Sequence, residues 1–416
     1  MTPSEALRWF VQLPPSHIKL GLERVQHALA ALKHPETQYP AIHVAGTNGQ
    51  GSTCAFAAAC LTQQSYKVGL YTSPHLVKVN ERFQIGGVPI SDALLGQRVN
   101  EVLAGVGPSH DLTFFEFGTV VGLWHFAQEN IDVAVLETGL GGRLDAVTCC
   151  RPSVTAITSI SMDHTEYLGT SLREIAFEKA GILKPNVPVV VAAQAPEIIE
   201  VIERQAHKVG APVRLEGRDF AFEPDGQTFI YRGMRTRVPG LSLGLKGPHQ
   251  VHNAAVALAC LELLEDRGIK ISRDHARIGL AVTRWPGRLE EQDGVVLDGA
   301  HNPGGAAALA HALDTVYSGK KVHLVFGVLA DKDHLPMIRT LFPKATAAYL
   351  TPVGSLRTLE PSDFLDDAKV SCSHVEAFES PRAALAAARA AAGPDDLVLV
   401  AGSLFLIGEI KALLAS

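Results

Sequence analysis

Ala41-Ile-His-Val-Ala-Gly-Thr-Asn-Gly-Gln-Gly-Ser-Thr53 decides the fold. A short apolar run enters a glycine-rich turn, and the alanine-rich segment Cys54 to Leu61 follows it. This reads as strand, loop and helix. Gly46, Gly49 and Gly51 let the backbone take positive φ and come close to a ligand, while the start of the helix offers free N–H groups and the positive end of its dipole. Such a turn suits a phosphate. It departs from a nucleotide-binding P-loop at one position: before the last glycine, where a lysine normally reaches the β- and γ-phosphates, stands Gln50. A glycine turn between strand and helix can also be purely structural, so the reading leans on the rest of the chain.

Outward from this unit, apolar runs rich in β-branched residues alternate with helical patterns. Lys67 to Tyr71, Ile131 to Glu137, Ser153 to Thr158 and Val187 to Val191 read as buried strands, with an amphipathic helix expected from the Leu112–Phe117 region to about Asn130. Residues 4–33 read as two helices on either side of Pro14-Pro15, with Ile18 to Arg24 turning into the second. Alternation of this kind implies a parallel sheet, whose ligands gather outside the strand carboxyl ends. Pro224 to Pro239 resembles a β-hairpin insertion, and Asn253 to Glu265 a helix. Trp285 to Gly294 breaks the pattern with Pro, Gly and charge, placing a domain boundary there. Strands at 295–298, 322–328, 346–350, 373–378 and 397–401 then build a second, smaller α/β unit.

With 416 residues, two or three domains are expected. The 37 basic and 43 acidic residues leave a net charge of −6, so no global basic field argues for nucleic acid or an anionic membrane. Six cysteines form no C-x-x-C pair, which suits buried free thiols in a reducing compartment. The first ten residues lack a signal peptide's basic start and apolar core, and no run approaches 18 apolar residues. A cytoplasmic protein is expected.

Several chemically able residues fall just after predicted strands. Glu137 ends Val133-Ala-Val-Leu-Glu, where an apolar residue would be usual; near phosphates a carboxylate needs a cation between, so it is a magnesium candidate, or else an ion-pair partner of Arg143. Ser73, in Thr72-Ser-Pro-His-Leu76, offers a hydroxyl for the same shell or simply forms a turn. His164, beside Asp163, can ligate a metal, orient a phosphate or cap the following turn. Lys179 reads as a cation near a helix C-terminus; enclosed beside carboxylates, it can instead lose its proton and add carbon dioxide as a carbamate. Asp298, in Asp298-Gly-Ala-His-Asn-Pro303, and Arg288 can contact a nucleotide, or the turn can be a helix cap.

Taken together, Leu20-Gly-Leu-Glu-Arg24, Val44 to Ser52, Thr72 to Leu76, Phe115-Glu116, Glu137-Thr-Gly-Leu-Gly-Gly-Arg-Leu-Asp-Ala146, Asp163-His164, Glu178-Lys-Ala-Gly181, Pro286-Gly-Arg288 and Asp298 to Pro303 resemble the folylpolyglutamate synthase/dihydrofolate synthase branch of the Mur ligase superfamily. The resemblance covers almost the whole chain. It implies an α/β fold with a P-loop NTPase-like, parallel-sheet ATP-binding domain over residues 1–286 and a smaller Rossmann-like ligase domain over 287–416. It also implies an ATP- and Mg²⁺-dependent amide ligase, acting on small-molecule substrates, that joins L-glutamate to dihydropteroate or folate through an acyl phosphate; a monomer is the default expectation. Thr47, Asn48, Gly49, Gln50, Gly51 and Ser52, with Asn253, Arg288 and Asp298, match nucleotide contacts. Ser73, Glu137 and His164 match magnesium ligands, and Lys179 the family's carbamylated lysine. Lys19, Leu20, Gly21 and Leu22, then Thr113, Phe114, Phe115 and Glu116, then Leu144, Asp145 and Ala146, match stretches lining the pterin-carrying substrate.

The family pattern has lysine at position 50. Gln50 can donate a hydrogen bond but carries no charge, so a contact of roughly 1.5–3 kcal/mol is weakened. Two expectations follow: a ligase compensated by magnesium and Arg288, or a homologue that binds nucleotide and folate with catalysis impaired.

Overall fold

The β-branched runs become the strands of one eight-stranded sheet: β1 (Ala41–Ala45), β2 (Val68–Tyr71), β3 (Phe83–Ile85), β4 (Val88–Pro89), β5 (Val133–Glu137), β6 (Val154–Ile157), β7 (Val189–Val191) and β8 (Val213–Leu215). The computed structural model describes residues 1–14, 19–107 and 110–415; Pro15 and Ile18, within the expected break between the first helices, lie outside them. Strand order is β4-β3-β2-β5-β1-β6-β7-β8, with β2 through β8 joined in parallel and β3 and β4 added antiparallel at one edge. All five residues of β1 and of β5 are buried, as expected for strands covered on both faces. Phe10, Leu29, Val99, Phe117, Val120 and Phe126 pack one side of this core.

Two of the expected elements take a different form. Helix Phe114–Gln128 is buried nearly all round rather than amphipathic, because the flanking helices cover what would be its polar face. The expected hairpin is a three-stranded antiparallel meander: β9 (Ala221–Asp225), β10 (Thr228–Arg232) and β11 (Arg237–Leu241). One buried carboxylate fixes its last turn. Glu262 accepts the backbone N–H groups of Met234 at 2.9 Å, Arg235 at 2.5 Å and Thr236 at 2.9 Å, and the Tyr231 hydroxyl at 3.1 Å.

The second sheet has six strands in the order β12-β13-β17-β14-β15-β16: β12 (Glu290–Gln292), β13 (Val295–Leu297), β14 (Val322–Phe326), β15 (Ala347–Leu350), β16 (Val375–Ala377) and β17 (Leu397–Ala401). β12, inside the stretch read as a break, pairs antiparallel with β13, while the remaining pairs are parallel. Leu309, Phe326, Ile338, Phe342, Phe364 and Leu399 form its core. The chain divides into two compact units. The first comprises 1–160, 171–244 and 252–283; the second comprises 161–170, 245–251 and 284–416. No helix among the described residues is long and apolar enough to cross a membrane.

One buried side chain makes the first unit sensitive to acid. His43, at the middle of β1, is fully enclosed, with Nε2 2.9 Å from Thr138 Oγ1. Burial, helped by the charge of Lys184, pushes its pKa down to about 3. The folded state therefore binds fewer protons than the unfolded chain between the ordinary histidine value and about pH 3, so stability is present above that ordinary value and is lost as the pH falls. Going from pH 7 to pH 5 is expected to cost about 2 kcal/mol through this group alone. Denaturant titrations at both pH values check it: the drop should shrink by that amount in His43→Leu, and equal drops in both proteins would contradict it.

Candidate active site

β1 delivers the glycine turn. Gly49 takes φ +90° as the residue before helix Gln50–Gln63, and a Cβ there would lie 2.2 Å from Asn253 Oδ1, so only glycine lets the Asn253 side chain lie over the turn. The N–H groups of Thr47 and Asn48 donate to Ser159 O at 2.8 and 3.1 Å, which ties the loop to the end of β6. Thr53 N–H closes the first helical turn onto Gly49 O at 2.9 Å. The N–H groups of Gln50, Gly51 and Ser52 thus lie in the first turn, where no carbonyl of the helix itself can take them. Gln50 turns back on the loop: oriented to pair both of its amide atoms, it donates to Gly46 O at 2.9 Å and accepts from Gly46 N at 3.3 Å. Ser52 Oγ is buried and has no hydrogen-bond partner among the described residues. A phosphate or a hydrated cation would supply the partner that this hydroxyl lacks, so the loop's donor set suits both.

Around this turn the first unit gathers three of the expected side chains. Register places Glu137, the last residue of β5, beside Val44 of β1. Its Oε2 accepts Ser73 N–H at 3.0 Å, which sets the serine and the carboxylate side by side at the sheet's carboxyl edge. Lys179 ends helix Leu172–Lys179, is 4% exposed, and its Nζ hydrogen-bonds Gly46 O. Two close backbone approaches hold it there. A Cβ on Gly181 would lie 2.3 Å from Arg143 Cα, and one on Gly142 2.8 Å from the carbonyls of Glu178 and Lys179. Arg143 N–H donates to Glu178 O at 2.8 Å, and its guanidinium pairs with the Glu178 carboxylate at 2.9 Å. Arg143 is therefore the partner of Glu178, not of Glu137.

The stretches expected to line the substrate also meet in this unit. Glu116 closes the capping box of Phe114–Gln128 by accepting Thr113 N–H, and its other oxygen accepts Arg24 Nη2 at 2.7 Å. Arg24 Nη2 reaches back to Lys19 O at 2.8 Å, which ties Lys19 to Leu22 against Thr113 to Glu116. Lys19 itself pairs with Asp111, Leu20 is exposed, and Gly21 has φ +125°. The Phe115 ring lies against Gly139, where a Cβ would be 2.2 Å away. Asp145 folds the 140–147 loop by accepting Leu140 N–H at 2.8 Å and Val147 N–H at 3.0 Å, with Leu144 and Ala146 flanking it. Burial pushes its carboxyl up to about 7, against those backbone donors and the charge of Lys179.

Sequence reading passed over Arg82, which is buried beside this region. Its Nε donates to His75 Nδ1 at 2.9 Å, and its Cζ lies 5.2 Å from the centre of the Phe114 ring. Burial, then the Arg82 charge, pushes His75 down to about 4, so the imidazole is neutral and accepts.

His164, Arg288 and Asp298 belong to the second unit. His164 has the left-handed conformation, φ 49° and ψ 42°, just before the short helix Thr165–Leu168. Next to it Asp163 is a hub: it receives Lys332 Nζ at 2.7 Å, Asn302 Nδ2 at 2.9 Å and the His164 backbone N–H at 2.9 Å, with His301 Nε2 at 3.5 Å. Burial alone would raise its carboxyl, yet the hydrogen bond and charge of His301, with Lys332 and His164, hold it well below the ordinary carboxylate range. Lys332 Nζ also lies 3.4 Å from His164 Nε2, and no periodicity in Asp331-Lys332-Asp333 marks that lysine's side chain as enclosed. Asp298 accepts Leu289 and Ala300 N–H at 3.0 Å each. Burial raises its carboxyl, and the nearby Arg288 opposes that.

Fold and site together define a P-loop phosphate-binding protein with a second α/β unit. Two family models match: the Mur ligase middle domain over residues 44–261, and the Mur ligase glutamate ligase domain over 287–404. The Bacillus subtilis protein named dihydrofolate synthase/folylpolyglutamate synthase is 35% identical over 409 residues, covering 95% of each chain. Its namesake from Escherichia coli is 33% identical, over 97% of this chain and 93% of its own. Among solved structures, E. coli FolC in complex with DHPP and ADP superposes with a TM-score of 0.91 at 32% identity, covering 100% of this chain and 98% of that one. The Yersinia pestis bifunctional enzyme complexed with AMPPNP and a manganese ion gives 0.90 at 32% identity, with the same coverage. The chain belongs to the folylpolyglutamate synthase/dihydrofolate synthase family of Mur ligases.

Proposed function

We propose that the protein is an ATP-dependent amide ligase that adds L-glutamate to dihydropteroate, to (poly)glutamylated folates, or to both. The observation that carries this reading is likeness along the whole chain to synthases of that name, solved with ADP or an ATP analogue. None of these relatives favours the impaired alternative.

The chemistry follows from the residues. A carboxylate is a poor electrophile. Attack of its oxygen on the γ-phosphorus of ATP breaks the bond to ADP and leaves an acyl phosphate. The glutamate amine then attacks the carbonyl carbon, inorganic phosphate leaves, and the amine gives up a proton. N–H groups of Gln50, Gly51 and Ser52 hold the phosphates, with Thr47, Asn48 and Gly49 shaping the loop. Asn253, Arg288 and Asp298 hold the rest of the nucleotide. Ser73 and Glu137 would hold one magnesium ion and His164 a second, and the positive charge so supplied would offset that on a phosphoryl group. Lys179, if carbamylated, would supply a further anionic ligand for such an ion. Lys19 to Leu22, Thr113 to Glu116 and Leu144 to Ala146 bind the pterin-carrying substrate. We place the protein in the cytoplasm as a monomer; its six free thiols suit a reducing compartment.

The test is turnover of dihydropteroate or a reduced folate with glutamate, ATP and magnesium. The native chain should release ADP and a glutamylated product, and Gln50→Lys should raise turnover by about tenfold to a hundredfold, the rate equivalent of one restored charged contact. Absence of product from the native chain, with strong activity in the variant, would defeat the reading.

A further inference from the structure

A cavity of about 400 Å³ lies in the first unit, at the end of the sheet opposite the glycine turn. Pro152 lines it just before β6, where Ser153 N–H donates at 2.8 Å to the carbonyl of Ala41, the first residue of β1. The glycine turn follows β1 and Glu137 ends β5, so the length of a five-residue strand, roughly 15 Å, separates the two regions. Among the described lining residues only Leu22 belongs to a stretch assigned to the acceptor.

Leu29, Pro152 and Val187 make part of the wall apolar. Glu36, 5% exposed, makes another part polar: its Oε1 lies 3.0 Å from His34 Nδ1, while its enclosed Oε2 has no hydrogen-bond partner among the described residues. A buried carboxylate oxygen ordinarily meets a donor. Lys33 and His34 hold this corner with φ of 61° and 57°, two successive side-chain-bearing residues in the left-handed region, a costly conformation of the kind found around ligand sites. Lys184 Nζ donates to Thr148 O at 2.8 Å, and Arg151 is exposed; neither cation has a carboxylate within ion-pair distance among the described residues. Burial raises the Cys150 thiol to about 12, and the charges of Lys184, Asp145 and Glu36 also reach it, so this sulfur is a neutral piece of a wall whose field is mixed in sign.

We propose that this cavity is a second ligand site, for a small anion that carries a planar amino-heterocycle of the guanine type. The apolar wall takes the ring. The adjacent N1–H and 2-amino donors of a guanine match the Glu36 carboxylate, and Arg151 and Lys184 take the anionic group. The site goes beyond the ligase reading and does not depend on it.

Calorimetry tests it. Guanosine 5′-monophosphate is titrated into the native protein with ADP, magnesium and dihydropteroate already in excess, so that it cannot be taken up at the glycine turn or the acceptor stretch. Binding should appear, and should be tighter by about tenfold or more than that of adenosine 5′-monophosphate or inorganic phosphate, which lack the paired donors. Arg151→Glu and Glu36→Gln should each weaken it by about 10- to 100-fold while leaving ligase turnover in the absence of the probe at the native rate. No binding to the native protein, equal affinity for the three probes, or native affinity in either variant would overturn the proposal. Should Glu36→Gln fail to fold, Arg151→Glu, a change at an exposed position, decides by the same criteria. A chain that binds guanosine 5′-monophosphate in this way yet makes no glutamylated product keeps the second site and loses the ligase reading.

Discussion

Lys179→Ala is expected to cut turnover by about 10²- to 10³-fold, the usual cost of removing one preorganised charged group from a transition state. The amine is buried, hydrogen-bonds the carbonyl of the first P-loop glycine and lies within the field of Asp145. Lys179→Arg separates two roles for this side chain. Arginine keeps a cation at the end of helix Leu172–Lys179, where the helix dipole favours one, but cannot add carbon dioxide. If the carbamate matters, both variants lose activity alike, the native protein shows an added carbon dioxide in its intact mass, and its rate responds to bicarbonate. An arginine variant within about tenfold of native, with no such mass, would show that a simple cation suffices.

Glu137→Gln should lower turnover by a similar 10²- to 10³-fold and raise the magnesium concentration needed for half-maximal rate. Glutamine keeps the size of the side chain and can still accept Ser73 N–H, so the sheet edge is expected to survive. What disappears is the negative charge. Manganese binding to the ADP complex, read by electron paramagnetic resonance, isolates that loss from turnover. Unchanged manganese affinity with an intact fold would reduce Glu137 to a brace for the Ser73 turn.

The glycine turn and the strands that converge on it were legible because their signals are local. Of Gly46, Gly49 and Gly51, Gly49 takes the expected positive φ at the turn, and β1 and β5 are wholly buried runs that are apolar but for His43 and Glu137. The elements missed give weak local signals. β4 is two exposed residues, and β12 is Glu290-Glu291-Gln292, an edge strand with no apolar face to read. Helix Phe114–Gln128 was placed but expected to be amphipathic; its sequence has almost no polar stripe to read, and the folded helix is enclosed. The contribution of 161–170 and 245–251 to the second unit is a long-range fact that neither segment's composition records. Arg82 was missed for a related reason: in Asn80-Glu81-Arg82-Phe83 it reads as one of two surface charges, and only tertiary packing shows that its neighbour Glu81 turns instead to the backbone of Leu76, Val77 and Lys78.

The close contact of Gly142 and Gly181 has a bearing on redesign. Because main chain meets main chain there, the depth of the Lys179 amine is set without help from the aromatic and aliphatic lining of the acceptor stretch. Changes at Phe115 or Leu144 made to admit a bulkier acceptor can therefore leave the amine's reach untouched. Even one methyl group at either glycine would push the reactive end away from the loop it serves.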